Sequence, residues 1–576
     1  MLNSQIAAAL DLIGDILDFQ GANPFRVRAY RNGARTIRDY SEPLAAIALE
    51  GKEKLKQIEG IGDDLAAKII TLVGAGSLPM LEELKAQVPE SVLALLRIPG
   101  LGPKKAALLY KELGIRTLAE LKAACEAGRV QSLKGFGVKT EELILQGMTV
   151  AETASHRIYW SQADEVASNL RERLSVCAGA EQLEFTGSYR RGKDTVGDLD
   201  ILVVSSNSSE VMDCLAGYPP VAQVLARGDT KMSVRLGSGL QVDLRVVPAE
   251  SFGAAMQYFT GSKEHNVILR GRAKSQGLKI NEYGVFRVQG DKEVRIGGAT
   301  EDEVYATLGL PAFPPELREG RREFEWADQN ELPELVTQND IRGDLHMHTT
   351  ASDGSASIEA MVAAARERGL SYIAITDHSQ RVSMARGLTP ERLLAQWAEI
   401  DRLRPSLPKG FTLLKGIECD ILERGGMDLP DDVLAQADWV NASIHYGQKQ
   451  PRQQITDRIL GAIENPHVSI IAHPTGRLLN RREPYEVDLD AVFAAAKKHG
   501  KLLELNANPI RLDLNDVYCA AARQHGIPIV ISTDAHSPDE FSVLRYGILQ
   551  ARRAGLTKAD VANTRTWPQL KKLVGK

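Results

Sequence analysis

Asp198 and Asp200 stand two residues apart inside an apolar run made by Leu199, Ile201, Leu202, Val203 and Val204. A β-strand repeats every two residues, so both carboxylates leave the same face and can share a divalent cation. Farther on, Leu240-Gln-Val-Asp-Leu-Arg-Val-Val247 is another strand-like run with Asp243 at its centre. A lone carboxylate there is costly to bury unless something positive meets it. Three carboxylates on neighbouring strands would hold two Mg²⁺ ions, one lowering the pKa of an attacking hydroxyl and one neutralising a leaving phosphate. Just upstream, Gly187-Ser-Tyr-Arg-Arg-Gly-Lys193 opens on a Gly-Ser pair at the mouth of a helical turn, where backbone N–H groups can hold phosphate oxygens. The same residues match the start of a P-loop, but Asp194 replaces the required Ser or Thr and no long helix follows. A pair of solvent-facing Asp at a strand edge is the plainer alternative. The Gly-Ser turn, the two arginines and Asp243 together favour nucleotidyl transfer.

A second chemistry begins near Ile341, where apolar strands end one after another in metal-ligand residue types. Leu345 is flanked by Asp344 and His346-Met-His348, with Asp353 following; Tyr372–Thr376 ends in Asp377-His378 and Thr412–Ile417 in Glu418. Trp439–Ile444 ends in His445, Val468–Ala472 in His473, Leu502–Leu505 in Asn506, and Ile527–Thr533 in Asp534-Ala-His536. Polar residues at the C-terminal ends of successive parallel strands are where a (β/α) barrel keeps its active site. Seven such strands predict an irregular barrel. Six histidines and three carboxylates on one rim exceed the needs of one ion; imidazole with carboxylate suits Zn²⁺, Mn²⁺ or Fe²⁺, up to three ions. His467, His499 and His525 differ: the first lies in a loop after Pro466, and the others each precede a Gly at the end of a helical run.

Other parts of the chain must position these groups and bring their substrate to them. A net charge of −5 excludes a globally basic nucleic-acid binder, so any DNA contact must come from local patches. Ile6, Leu10, Ile13 and Leu17 predict one buried helical stripe. Arg28, Arg31, Arg35 and Arg38 then share a helical face with no acid before Asp39, which predicts a phosphate-binding face. An internal repeat follows in Ile58-Glu-Gly-Ile-Gly62, Ile98-Pro-Gly-Leu-Gly102 and Leu133-Lys-Gly-Phe-Gly137. In each, the apolar residue packs under a tight turn and the glycines let the backbone approach a phosphate. The repeat looks like helix-hairpin-helix, which grips the DNA backbone without reading bases. Glu316 to Asp340 is charged and aperiodic, the best linker candidate. Five scattered cysteines without a C-x-x-C predict reduced thiols. No apolar run reaches 18 residues and no signal opens the chain, so a soluble, cytoplasmic protein is expected.

The Gly187–Val204 stretch with Asp243 closely resembles the palm of the family X DNA polymerases, and the C-terminal half resembles the PHP domain, named for polymerase and histidinol phosphatase. That resemblance covers nearly the whole chain. It implies a multidomain fold: a helical helix-hairpin-helix region, an α+β nucleotidyltransferase palm and thumb, and an irregular seven-stranded (β/α) PHP barrel. The expected divisions are 1–80 and 81–150 for two helix-hairpin-helix parts, 151–250 for the palm, 251–315 for the thumb, 316–340 for the linker and 341–576 for the barrel.

Asp198, Asp200 and Asp243 would be the Mg²⁺-binding catalytic residues. Gly187, Ser188, Arg191, Gly197, Tyr258, Phe259, Gly261, Asn266 and Arg270 would meet the incoming nucleotide, although Lys263 departs from the acid that polymerase beta carries. Arg26, Tyr30, Gly60, Gly62, Gly100, Gly102, Gly135 and Gly137 would contact DNA. Lys68 falls where polymerase beta has a Schiff-base lysine, but a second lysine of that site is Asp64 here, so lyase chemistry is a minor expectation. The PHP ligands would be His346, His348, Asp353, His378, Glu418, His445, His473, Asp534 and His536, holding two or three Mn²⁺ or Zn²⁺ ions. The implied function is filling short gaps in DNA repair, with a 3′–5′ exonuclease and an activity at abasic sites. The substrates would be gapped, 5′-phosphorylated DNA and deoxynucleoside triphosphates, used by a monomer. A nucleotidyltransferase acting on RNA ends and a DNA-binding scaffold with silent sites are the rivals.

Overall fold

The computed structural model describes residues 3–39, 44–58, 60–88, 92, 95, 98, 101–133, 135–137, 140–141, 144–145, 157–177, 179–290 and 292–575. The chain forms two compact units, one of Met1–Ile158 with Arg235–Leu240 and Leu479–Glu483, the other of the remaining residues.

The first unit is helical. Helix α1 (Asn3–Phe19) buries Ile6, Leu10, Ile13 and Leu17 as its spacing predicts, and α2 (Pro24–Asp39) packs beside it. The three glycine-bracketed turns repeat one backbone pattern. The N–H of the central apolar residue returns to the carbonyl three positions back in each case, Ile61 to Ile58, Leu101 to Ile98 and Phe136 to Leu133. The carbonyl of the second glycine then accepts the first bond of the next helical turn, from Ala66 to Gly62, Ala106 to Gly102 and Glu141 to Gly137. Ile61, Leu101 and Phe136 are all buried, so each residue that the sequence places beneath a turn is a core anchor.

In the second unit a five-stranded sheet forms from β1 (Gln182–Phe185), β2 (Asp198–Val204), β3 (Val221–Arg227), β4 (Lys231–Leu236) and β5 (Gln241–Val247), in the order β1-β2-β5-β4-β3. β2 and β5 are parallel neighbours, and β1 runs antiparallel to β2. Helices α3 (Phe252–Thr260) and α4 (Lys263–Ser275) follow, then an antiparallel sheet of β6 (Leu278–Asn281), β7 (Gly284–Gln289) and β8 (Lys292–Gly297). The segment expected as a linker carries structure of its own. Helix α5 (Glu323–Gln329) seats Phe324 against the ring of His265, and Glu323 accepts from that imidazole. One aromatic contact and one buried imidazole–carboxylate hydrogen bond anchor a stretch too short for periodicity to reveal.

The barrel contains seven parallel strands in chain order: β9 (Gly343–Asp344), β10 (Tyr372–Ile375), β11 (Thr412–Asp420), β12 (Trp439–Ser443), β13 (Ile470–Ile471), β14 (Leu502–Asn506) and β15 (Ile529–Ser532). Beyond the ends of β9 and β15, Met347 bridges Ala535 in parallel, and the His348 N–H donates to the Ala535 carbonyl at 2.7 Å. First and last strands therefore meet at the rim where the histidines emerge. Alternate residues divide between two cores: Tyr372 and Ala374 join Leu345, Leu414, Trp439 and Val530, whereas Ile373 and Ile375 pack with the surrounding helices.

The expectation of reduced thiols throughout is corrected. Cys177, just past the Trp160–Ser175 helix, is disulfide-bonded to Cys214 in the Ser208–Ala216 helix, while Cys125, Cys419 and Cys519 are free and buried. The pair is 37 residues apart, and only the tertiary packing of the two helices brings it together.

Candidate active sites

The parallel register of β2 and β5 sets Asp200 directly opposite Asp243, with Asp198 two residues earlier on the same face as Asp200. Asp243 is buried and accepts hydrogen bonds from Ser233 Oγ and, at 3.1 Å, from Gln241 Nε2. Burial, and then the charges of Asp198 and Asp243, push Asp200 up to about 7. Such mutual repulsion is relieved when a divalent cation sits between the carboxylates, so this trio suits divalent metal. Gly187 begins the adjoining turn at a φ of 65°, and a Cβ there would lie 2.7 Å from Asp200 Oδ2. Only glycine permits that approach. Ser188 Oγ is buried without a hydrogen-bond partner among the described residues, beside this carboxylate-lined strand. Gly197 immediately precedes Asp198 where β2 starts.

Several residues expected at the nucleotide are engaged with neighbouring protein groups. Arg191 donates to the Thr260 carbonyl and, through Nε at 3.1 Å, to Glu319, which leaves its side chain largely buried. Asn266 is turned inward: its amide oxygen accepts from Gln257 at 2.7 Å and its nitrogen donates to the Tyr258 carbonyl at 2.8 Å. Tyr258 and Phe259 are half-buried at the end of α3, their rings edge to face at 5.1 Å. Arg245 lies 4.4 Å from the centre of the Phe259 ring and the exposed Arg270 lies 5.9 Å from that of Tyr258. Gly261 follows α3 and Ser262 caps α4, accepting from the His265 N–H at 3.2 Å.

On the barrel rim all nine expected ligands converge. Glu418 is the hub: its Oε2 lies 2.8 Å from His378 Nδ1, 3.3 Å from His346 Nε2 and 3.6 Å from His348 Nε2. Its Oε1 lies 2.9 Å from His473 Nε2 and 3.5 Å from His445 Nε2. Three ligand groups form around it, His348–Asp353–His378–His536, His346–His348–Asp534 and His378–Glu418–His445. His346 Nε2, His348 Nδ1, His378 Nδ1 and Glu418 Oε2 are buried yet lack an aligned hydrogen bond among the described residues. Lone pairs crowded together without hydrogen-bonding are what a cation between them would satisfy. The donor set therefore fits divalent metal. Two of these nine residues, His473 at a φ of 30° and Asp534 at 56°, hold left-handed backbone that non-glycine residues seldom adopt.

Loading this rim must displace protons. Burial works to lower His378 and His536, but Glu418 and Asp353 outweigh it for His378, lifting it to about 10, and Asp353 does so for His536, lifting it to about 9. The neighbouring carboxylates favour the protonated form of both imidazoles, whereas a ligand must be neutral. Metal affinity should therefore rise with pH between 6.5 and 8.5, by about tenfold per unit for each proton displaced. Equilibrium dialysis of Mn²⁺ at pH 6.5, 7.5 and 8.5 would check this, and a flat affinity would contradict it.

Similarity to known proteins follows the same division. Helix-hairpin-helix models match residues 1–78 and 92–147, the DNA polymerase beta palm matches 157–227, its thumb 255–319, and the PHP domain 344–508. The DNA polymerase/3′-5′ exonuclease PolX of Bacillus subtilis (strain 168) is 41% identical over 569 residues, 98% of each chain. The chain belongs to the family X DNA polymerases. Rat (Rattus norvegicus) DNA polymerase lambda is 25% identical over 55% of this chain and 56% of its own. A probable phosphatase of Thermoanaerobacter sp. (strain X514) is 30% identical over 38% of this chain and 89% of its own.

In the helical unit, Arg26, Tyr30, Gly60 and Gly62 line a cavity of about 360 Å³, together with Asp63 and Asp64. Lys68 nearby is ion-paired to Asp64 and lies 5.6 Å from the centre of the Tyr30 ring. Burial would lower its pKa, but hydrogen bonds to Asp64 and Tyr30 dominate and raise it, the opposite of what an amine nucleophile needs. The basic face is less uniform than its own helix suggests, because α1 supplies Asp15 and Asp18 to Arg31 at 3.1 and 3.0 Å. Gly100 and the side chains of Arg35 and Arg38 lie outside the described residues. Gly102, Gly135 and Gly137 sit in the second and third repeated turns.

Several polar residues that hold the ligands escape a search for strand-end residues. Glu504 lies 2.7 Å from His346 Nδ1 and accepts from the His473 N–H at 2.6 Å, and Asp420 lies 3.0 Å from His445 Nδ1. Each keeps the far nitrogen of its imidazole turned toward Glu418. Period two was the available signal: Asp420 is two residues past Glu418, and Glu504 two before Asn506, which itself donates to Asp534 at 3.0 Å.

Proposed function

We propose that this chain fills short gaps in DNA during repair and, through its barrel, shortens 3′ ends and cuts at abasic sites. The observation that carries the polymerase reading is the in-register pair Asp200 and Asp243, joined by Asp198 beside a turn whose Gly187 leaves no room for a side chain against the Asp200 carboxylate. Mg²⁺ is the metal of this oxygen-only trio, Mn²⁺ or Zn²⁺ that of the imidazole-rich rim. Bound ions supply charge stabilisation and an acidified hydroxyl or water in both places. The chain's own contribution is position: β2 and β5 fix the carboxylates, Ser188 and the backbone of the turn take triphosphate oxygens, and Tyr258, Phe259 and Arg270 flank the sugar and base. Glu504 and Asp420 orient rim imidazoles toward the scissile phosphate. The 5′-phosphate of the gap lies in the cavity between Arg26 and Tyr30, and the repeated turns take the flanking backbone. These roles divide the chain at roughly the expected boundaries, with 316–340 as an ordered connector. A cytoplasmic monomer completes the reading; among the described residues no single helix is long and apolar enough to cross a membrane.

Salt dependence tests the DNA surface. Arg26→Ala with Arg28→Ala should weaken binding to gapped DNA and flatten the log–log salt slope by about one unit per lost phosphate contact. Arg31→Ala should change the slope less, since Asp15 and Asp18 already pair that side chain. Equal slopes for wild type and the double variant would return these arginines to an ordinary solvated face. The overall reading is tested on primed, gapped DNA with deoxynucleotides and Mg²⁺; absence of any extension would remove it.

A further inference from the structure

The turn expected to receive the triphosphate does not stand on the palm alone. Helix α6 (Leu544–Arg553), which follows the last barrel strand, packs against it. Arg553 is almost wholly buried, and its Nη1 donates to the Arg191 carbonyl at 2.6 Å and to Glu319 Oε1 at 2.8 Å. Its Nη2 donates to Asp516 of the barrel at 2.8 Å. Glu319 closes the loop by accepting from Arg191 Nε at 3.1 Å, and Lys193 Nζ lies 3.9 Å away. One turn earlier on α6, the buried Gln550 donates to the Gly192 carbonyl at 2.9 Å. Gly192 itself has a φ of 66°, and a Cβ there would fall 2.4 Å from Leu549 Cγ, so the turn is pressed onto α6 as closely as glycine permits. On the flank, Arg477 of the barrel pairs with Asp194 at 3.2 Å and Arg545 with Asp164 at 2.9 Å, and Asp164 also accepts from the Tyr189 hydroxyl at 2.6 Å.

Two consecutive carbonyls of the turn, those of Arg191 and Gly192, are thus held by barrel side chains. A carbonyl fixed from behind sets the plane of its peptide, and successive peptide planes decide where the N–H groups of a phosphate-binding turn aim. We propose that Arg553 is a positioning residue for nucleotide binding: the barrel, beyond its own chemistry, holds the palm's Gly187–Lys193 turn in the conformation that accepts a triphosphate. This rests on the polymerase reading above. Arg191 is joined through Glu319 to Arg553, so the same network also holds the side chain expected at the nucleotide. A buried guanidinium shared among one carbonyl and two carboxylates is well suited to the task, because its fork satisfies all three at fixed angles.

The test uses the full-length chain with Arg553→Ala, Arg553→Lys and Gln550→Ala, measuring KM for the deoxynucleotide, kcat, DNA shortening and thermal melting. Arg553→Ala should raise KM for the nucleotide roughly tenfold or more, the effect of losing a hydrogen bond from a charged group, with kcat changed less. Shortening of the same DNA should stay near wild type. Arg553→Lys should lie between, since one ammonium cannot replace the fork. Gln550→Ala, which removes a neutral bond and no charge, should raise KM by a few-fold and decides the matter if Arg553→Ala fails to fold. KM unchanged in every folded variant, or KM, kcat and shortening falling together, would overturn the proposal. A wild-type protein that adds no nucleotide would instead overturn the polymerase reading beneath it.

Discussion

Asp243→Asn should abolish nucleotide addition to primed, gapped DNA while binding to that DNA and its shortening persist. The substitution keeps the volume of a buried side chain whose neighbours are Ser233 and Gln241, so the sheet should hold. It removes one negative charge from the trio and with it a hard oxygen ligand, worth several kcal/mol of charge stabilisation in the transition state. At about 1.36 kcal/mol per decade, that is a loss on the order of 10³-fold or more in kcat. Asp243→Ala should do the same with some added loss of stability. Single-turnover extension in Mg²⁺ measures it, with a gel-shift titration as the control for binding. Extension within a few-fold of wild type would show that Asp243 holds no metal.

An equally large effect is expected on the rim. His348→Ala should eliminate DNA shortening, because His348 belongs to two of the three ligand groups and lies 3.1 Å from Asp534. Asp534→Ala should match it, also removing a carboxylate that receives Asn506 and pairs with Arg511 at 3.5 Å. Shortening should be supported better by Mn²⁺ than by Mg²⁺, since imidazole donors suit the softer ion, whereas extension in Mg²⁺ survives both substitutions. Metal content of the purified variants, read alongside shortening, distinguishes a lost ion from a misfolded barrel. Undiminished shortening by either variant would place the nuclease elsewhere.

How much of this was legible in the sequence depended on the range of the interaction. Asp198 and Asp200 declare themselves through period two within one strand, whereas the pairing of Asp200 with Asp243 is a register between strands about forty residues apart in the chain. The convergence of nine imidazole and carboxylate side chains was legible because every parallel strand of a barrel delivers its end to the same rim. Glu504 and Asp420 were not, since a carboxylate inside an apolar strand announces its cost and not its partner. Arg31 looked free on its own helix, and the acids that meet it come from α1. Arg191 and Asn266 carry the expected residue types, but their bonds to Glu319, Gln257 and two backbone carbonyls come from tertiary neighbours that local spacing does not name. The Cys177–Cys214 bond and the ordered 316–340 segment were invisible for the same reason: tertiary packing supplies contacts that local spacing does not encode.

The most direct measurement places wild type, Asp243→Asn and His348→Ala side by side on one gapped, 5′-phosphorylated DNA, with and without deoxynucleotides, in Mg²⁺ and in Mn²⁺, reading extension and shortening in the same lanes. Wild type should extend the primer when nucleotides are present and shorten it when they are absent. Asp243→Asn should only shorten, and His348→Ala should only extend. Loss of both activities in either folded variant, or neither activity in wild type with either metal, would contradict two separate metal chemistries in one chain.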